Sequence, residues 1–277
     1  MVIVPAQINI RTAQLPAGSN EDRLVVTATS FAVIDGATSH YKVPGPSGGD
    51  YAEQLAAALG SELRSTTSES LKTILGRAID RTITSLDLVP NSSAAPSCTV
   101  AMVRIDESEL VEALVLGDST IAFGFRDGSE EFLTDDRLGA LDLPASRDYR
   151  DRLRRGSGYD ETHRALLSSL QQDQARYRNR EGGYWIASTD PSAAEHAIVI
   201  ARPIEDLRWV VSATDGAADA FDSVGIAWET IATADSERLS DLLMQCHVWE
   251  QSVDPTGSIR PRSKQHDDKT VATFMIA

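Results

Sequence analysis

Ser30-Phe31-Ala32-Val33-Ile34-Asp35-Gly36-Ala37-Thr38 is an apolar, β-branched run that stops at an Asp-Gly pair. Such a run reads as a buried strand whose end exposes one carboxylate in a turn. The device recurs far along the chain in Leu207-Arg208-Trp209-Val210-Val211-Ser212-Ala213-Thr214-Asp215-Gly216. A looser version is Leu114-Val115-Leu116-Gly117-Asp118-Ser119, and the pair Asp267-Asp268 stands just before a strand-like run from Thr270 to Ile276. Acidic residues at the ends of widely separated strands call for a shared cationic partner, and hard divalent ions take oxygen ligands. Taken singly, each Asp-Gly pair reads as a plain turn; together they favour a metal site.

The chain of 277 residues is 42% hydrophobic and 24% charged, an ordinary globular composition. Its length suits one large domain spanning 1–277, and no linker or repeat divides it. The 41 acidic residues against 26 basic ones leave a net charge of -15. That charge argues against nucleic acid or anionic lipid as a partner, while divalent cations are compatible with it. No run is long and apolar enough for a membrane span, and Met1 to Ala6 reads as a strand rather than a signal peptide, so a cytoplasmic location is expected. Cys98 and Cys246 lack metal or redox spacing and read as buried thiols. Asn91-Ser92-Ser93 matches a glycosylation acceptor, which carries no weight without a secretory signal. The five histidines share no spacing, which argues against a histidine-based metal site.

Periodicity supplies the covering layers. From about Asp50, Tyr51, Leu55, Ala58, Leu59 and Leu63 recur at helical spacing. A second helix is expected after a capping box at Thr66-Thr67-Ser68-Glu69, with Leu71, Ile74, Leu75, Ala78, Ile79 and Ile83 on one stripe. Strand candidates follow at Cys98 to Ile105, Leu110 to Leu116, Thr120 to Phe125 and Glu131 to Leu133. Their short connections require antiparallel neighbours. Residues 137–182 form a charged excursion with one helical stretch near Glu161 to Arg178. A helix from about Glu237 to Val248, a polar loop from Pro255 to Lys264 and a last strand complete an α+β chain.

Six short motifs, taken in order, resemble the metal-dependent protein phosphatases of the 2C type. They are Asn20-Glu21-Asp22, Val33-Ile34-Asp35-Gly36, Ser97-Cys98-Thr99-Val100-Ala101, Leu116-Gly117-Asp118-Ser119, Ala213-Thr214-Asp215-Gly216 and Asp267-Asp268-Lys269-Thr270-Val271. The resemblance runs from about residue 19 to the C-terminus. It implies a four-layer αββα sandwich, two antiparallel sheets face to face with helices on both outer faces. It also implies two Mn²⁺ or Mg²⁺ ions and a weaker third. Asp35, Asp215 and Asp267 would hold one ion, Glu21, Asp35 and the Gly36 carbonyl the second, and Asp118 with Asp215 the third. Asp22 would orient the water bridging the first two, so that Asp22, Asp35 and Asp215 are the implied catalytic set. The implied reaction is hydrolysis of phosphoserine or phosphothreonine by that water. The implied partner is a phosphorylated protein substrate of a Ser/Thr kinase, and a monomer is expected. Residues 137–182 fall where the family carries its flap.

The pattern also departs from the family. Ala17 stands where members carry a phosphate-binding Arg, with Arg11, Arg23 or a flap arginine as candidate substitutes. Ala37-Thr38-Ser39 follows the first Asp-Gly where many members have a His, and His40 is a poor replacement. Asp268 stands where Asn is commonest. These departures keep two other readings open: an inactive phosphoprotein-binding or regulatory module, and a phosphatase of a small metabolite. The arginines at 152, 154, 155, 176, 178 and 180 read as a solvated surface paired with nearby aspartates.

Overall fold

A computed structural model describes residues 8–18, 20–39, 45–65, 68–90, 92 and 95–276. The strand expected at residues 1–6, His40, Thr66-Thr67 of the expected capping box and Asn91 lie outside the described residues. Two five-stranded antiparallel sheets pack face to face. In the first, β1 (Arg11–Leu15), β10 (Lys269–Met275), β9 (Leu207–Ala213), β6 (Thr120–Phe125) and β7 (Glu130–Leu133) lie side by side. In the second, the order is β2 (Asp22–Val26), β3 (Ser30–Gly36), β4 (Cys98–Ile105), β5 (Leu110–Leu116) and β8 (Ile198–Pro203).

The continuous apolar run of β3 exists because both faces of its sheet are covered. Successive side chains point to opposite faces. Phe31 and Val33 therefore enter the layer between the sheets, where they meet Val210, Ala272 and Phe274, with Phe31 edge-on to Phe274 at 5.9 Å. Ala32 and Ile34 face the other way, under α1 (Gly48–Ser65) and α2 (Leu71–Ser85). The stripes of Tyr51, Leu55 and Leu59 and of Ile74, Leu75 and Ile79 close that outer face. On the far side α6 (Asp215–Val224), α7 (Trp228–Thr233) and α8 (Ser236–Ser252) cover the first sheet through Phe221, Trp228, Ile231, Leu239 and Leu243. The αββα sandwich read from the sequence is the observed fold.

Several local expectations change. Ser70 is the N-cap of α2, its hydroxyl accepting from the Thr73 N–H at 3.1 Å, so the described helix begins after the expected box. The excursion carries three helices rather than one: α3 (Arg137–Ala140), α4 (Pro144–Arg154) and α5 (Glu161–Ala175). α4 hides in the sequence because its apolar residues are sparse, but Ala145, Tyr149 and Leu153 fall at i, i+4 and i+8 and meet Leu167 and Leu170 of α5. Strand β8 was not expected; its run is short, ends in Pro203, and leaves Ile198 and Val199 exposed. Helix α8 runs to Ser252, a turn beyond the expected end. No described helix is long and apolar enough to cross a membrane.

Candidate metal centre

The alternation that fills the middle of the inter-sheet layer with hydrocarbon also decides what lies at its rim. Asp35 shares a face with Phe31 and Val33, Asp22 with Leu24, and Thr270 with Ala272 and Phe274, so their side chains share the inter-sheet side. β2 starts and β3 ends at one edge, where Asp22 and Asp35 are direct antiparallel partners. β5 reaches the same edge and turns through Asp118 into β6, while β9 arrives there and becomes α6 at Asp215. Five carboxylates from distant parts of the chain are thereby gathered: Asp22, Asp35, Asp118, Asp215 and Asp267. Asp215 differs from its expected place in a turn. It is the first residue of α6, where the helix dipole favours a negative charge.

Neighbouring hydroxyls and backbone hold these acids in place. The Thr214 hydroxyl donates to Asp22 Oδ2 at 3.0 Å and accepts from the Thr270 N–H at 3.1 Å, tying β2 to the junction of β9 and β10. Asp22 Oδ1 is buried and has no hydrogen-bond partner among the described residues. The Asp268 carboxylate accepts the N–H groups of Ala17 at 2.7 Å and Glu21 at 2.5 Å, clamping the loop that carries Glu21. The Glu21 carboxylate accepts the Thr38 hydroxyl. Lys264 Nζ lies 2.7 Å from Asp267 Oδ1 and 4.0 Å from Glu21 Oε2.

Glycine is needed at two points. A Cβ on Gly216 would sit 2.3 Å from the Asp268 carbonyl oxygen and 2.9 Å from the Asp267 Cβ, so only hydrogen lets the start of α6 approach the Asp267 segment. A Cβ on Gly36 would meet the Gly48 carbonyl oxygen at 2.7 Å and that of Glu21 at 2.9 Å. Both contacts are with backbone, which cannot give way cheaply.

Crowding and burial disfavour the charged forms. Burial, then Asp268 and Asp215, push Asp22 up to about 7 against the pull of the threonine hydroxyls. Burial and Asp215 raise Asp118 to about 7, and burial raises Asp267 to about 6 although Lys264 opposes it. Asp35 is also raised, by burial first and then by Asp215 and Asp22. Acids this close cannot all ionise without cations among them.

Asp35, Gly36, Asp118, Asp215 and Asp267 line one cavity of about 640 Å³. Glu21 and Asp22 are buried behind that wall, 6% and 2% exposed. Of the candidate substitutes for the arginine missing at Ala17, Arg11 and Arg23 do not line the cavity, whereas arginines of the 137–182 insertion do. Arg11 donates to the carbonyls of Ala232 and Thr233, and Arg23 pairs with Glu53. Arg150 and Arg154 of α4 line the cavity, together with Arg260, Arg262 and Lys264 of the last loop. Arg262 is tied to buried Asp254 at 2.7 Å, whereas Arg150 and Arg260 form no salt bridge among the described residues. Of the six outer arginines, Arg152 pairs with Asp160, Arg154 with Asp151 and Arg176 with Asp173 as expected, whereas Arg178 donates to the Ala95 carbonyl at 2.9 Å.

Asp219 lines the same cavity and was not expected. It lies one helical turn after Asp215, and burial with Asp215 and Asp222 raises it to about 6. The i, i+4 pair Asp215–Asp219 was visible once a helix, rather than a turn, starts at Asp215.

No protein-family profile and no curated protein sequence matches the chain. Solved structures do. The PPM Ser-Thr phosphatase MsPP from Mycobacterium smegmatis, in complex with cacodylate, aligns over 98% of this chain and 100% of its own, with a TM-score of 0.56 at 16% identity. The fold is that of the PPM-type phosphatases. The Mycobacterium tuberculosis serine/threonine phosphatase PstP/Ppp covers 97% of this chain and 98% of its own, at 14% identity and a TM-score of 0.55. Stp1 from Staphylococcus aureus covers 98% of this chain and 95% of its own, at 13% identity and a TM-score of 0.56. The PPM fold thus extends across both sheets and the 137–182 insertion, at a level of identity that relates architecture rather than side chains.

Proposed function

We propose that the chain is a divalent-cation-dependent phosphatase of phosphoserine and phosphothreonine in proteins, acting as a cytoplasmic monomer. The observation that carries this reading is the convergence of Asp35, Asp118, Asp215 and Asp267 on one cavity. The donor set fits Mn²⁺ or Mg²⁺, being all carboxylate oxygen. The unpartnered buried Oδ1 of Asp22 and the raised acids around it also fit a centre completed by cations and their waters. Asp35, Asp215 and Asp267 would hold one ion, Glu21, Asp35 and the Gly36 carbonyl a second, and Asp118 with Asp215, joined by Asp219, a weaker third. When bound, such ions activate a water for in-line attack and neutralise phosphoryl oxygens.

The chain's own residues do the remaining work. Thr214, itself held by the Thr270 N–H, fixes Asp22 through Oδ2 and leaves Oδ1 free of protein donors, so that Oδ1 would accept a hydrogen bond or proton from an ion-activated water. Arg150 and Arg260, which have no acidic partner at salt-bridge distance, are the side chains suited to grip the substrate phosphate in place of the family arginine. The insertion reaches the centre through Gln171, whose amide donates to the Thr38 carbonyl at 2.8 Å beside Glu21.

The test is Mn²⁺-dependent hydrolysis of p-nitrophenyl phosphate and of a phosphothreonine peptide by the full chain and by Asp215→Asn. Turnover that requires added metal and vanishes in the variant supports the enzyme. No turnover in either assay, with Mn²⁺ still bound, would replace it with the binding-module reading that Ala17 already favours.

A further inference from the structure

Two of the histidines that share no spacing in sequence, His247 and His266, are brought together in space. His247 and Glu250 lie one turn apart on α8, and His266 reaches them from the segment that leads into β10. The metal-binding atoms of the three side chains lie within 4.8 Å of one another. His266 Nδ1 is 2.9 Å from Glu250 Oε2, and the two imidazoles stack at 4.0 Å with their planes 26° apart.

Two features of this cluster have no role in the carboxylate centre. His247 Nδ1 is buried with no hydrogen-bond partner among the described residues. Glu250 is 4% exposed, yet it faces two imidazoles as well as the ammonium of Lys269, which lies 2.9 Å from Oε1 and 3.0 Å from Oε2. Burial, together with His266 and Lys269, holds His247 below its usual range, so it is the neutral ligand form at neutral pH.

We propose that His247, Glu250 and His266 form a second metal site, suited to a transition metal such as Zn²⁺, whose donors are distinct from the rim carboxylates although Glu250 borders the same cavity. Two imidazoles and one carboxylate are a donor set that Zn²⁺ takes, with a fourth position left for water. A carboxylate offers about four lone-pair positions. Lys269 and the His266 contact use three, and the metal takes the last or replaces the hydrogen bond with a coordinate bond. Lys269 then acts as the outer support that orients the carboxylate. Its positive charge opposes any cation there, and this is the source of selectivity. Imidazole binds Mg²⁺ too weakly to overcome that repulsion and binds Zn²⁺ well enough to do so. His266 is adjacent to Asp267, so occupancy would pin the segment that supplies the rim with one of its acids.

The proposal does not depend on phosphatase activity, and its test reads binding. The full chain is titrated with Zn²⁺ by calorimetry and with Co²⁺ by visible absorption, in a large excess of Mg²⁺. The expected result is one equivalent of Zn²⁺ and a Co²⁺ spectrum of imidazole ligation. Affinity should fall at least about 10-fold in His247→Gln and again in His266→Gln, the range seen when one contact of a metal site is removed. Asp215→Asn should keep the same equivalent and spectrum. Both histidine variants should melt as wild type does in Mg²⁺ without Zn²⁺, which separates ligand loss from misfolding. Undiminished Zn²⁺ binding in folded His247→Gln and His266→Gln, or an equivalent that disappears in Asp215→Asn, would overturn the proposal.

Discussion

The rim of the sandwich and the 137–182 insertion are both dense in charge, and they handle it in opposite ways. In the insertion, Arg154 and Asp151 pair with more than half of each side chain in solvent, and the Arg176 that pairs with Asp173 is more exposed still. Water has already stabilised those charges, so each pair adds little. At the rim, Asp22, Asp35, Asp118 and Asp267 are withdrawn from water, face each other, and have Lys264 as their near cation. Burial turns the same functional group from a solvated surface feature into a demand for a ligand. Charge density alone therefore does not locate function; desolvation without compensation does.

That contrast predicts a steep ordering of effects. Asp35→Asn at the rim should lower Mn²⁺-dependent hydrolysis of p-nitrophenyl phosphate by at least about 100-fold, since it removes a group shared by two proposed ion sites. Gly216→Ala should lower apparent Mn²⁺ affinity by about 10-fold or more by forcing Asp267 and Asp268 away, with about 1–3 kcal/mol lost in urea unfolding. Thr214→Val frees Asp22 from its anchor and should reduce turnover by about 10-fold with metal affinity little changed. Arg150→Ala should raise KM several-fold and leave kcat nearly unchanged, as loss of a ground-state phosphate contact does. In the insertion, Arg176→Ala, outside the cavity, should shift stability by no more than about 0.5 kcal/mol and turnover not at all. A large effect there and a small one at Asp35 would reverse the comparison.

The raised acids also fix a pH dependence. Asp22 and Asp118 move from an ordinary value near 4 to about 7, and Asp267 to about 6. A carboxyl raised on folding favours the folded state while protonated, so its contribution is full below about pH 4 and is lost as pH rises through about 7. Chelator-treated protein should therefore melt at lower temperature at pH 8 than at pH 5. Added Mn²⁺ should reverse the trend, because the cation takes the place of the protons. A melting temperature in chelator that rises across this range would contradict the account of the rim.

Much of this was legible in the sequence for a physical reason. A strand buried on both faces, such as β3, is apolar over nearly its whole length, so its abrupt end at Asp35 stands out. Asp118 and Asp215 announce themselves in the same way. Asp219 did not, because its partner Asp215 reads as a turn residue until the helix that follows is seen. The α4 helix was obscured by arginine and aspartate on its outer face, and β8 by its short edge-strand run. The grouping of His247, Glu250 and His266 depends on how α8 packs beside β10, which no local pattern records. The bonds of Asp268 to the backbone of Ala17 and Glu21 are likewise a property of the loop it clamps.

The central claim is that the rim carboxylates form a cation centre, and calorimetric titration of Mn²⁺ into the wild-type chain and Asp215→Asn tests it most directly. The account predicts Mn²⁺ binding in the wild type and a loss of at least about 10-fold in affinity in the variant, with the variant still folded. Equal binding in the two proteins, or no Mn²⁺ binding by the wild type at all, would contradict it.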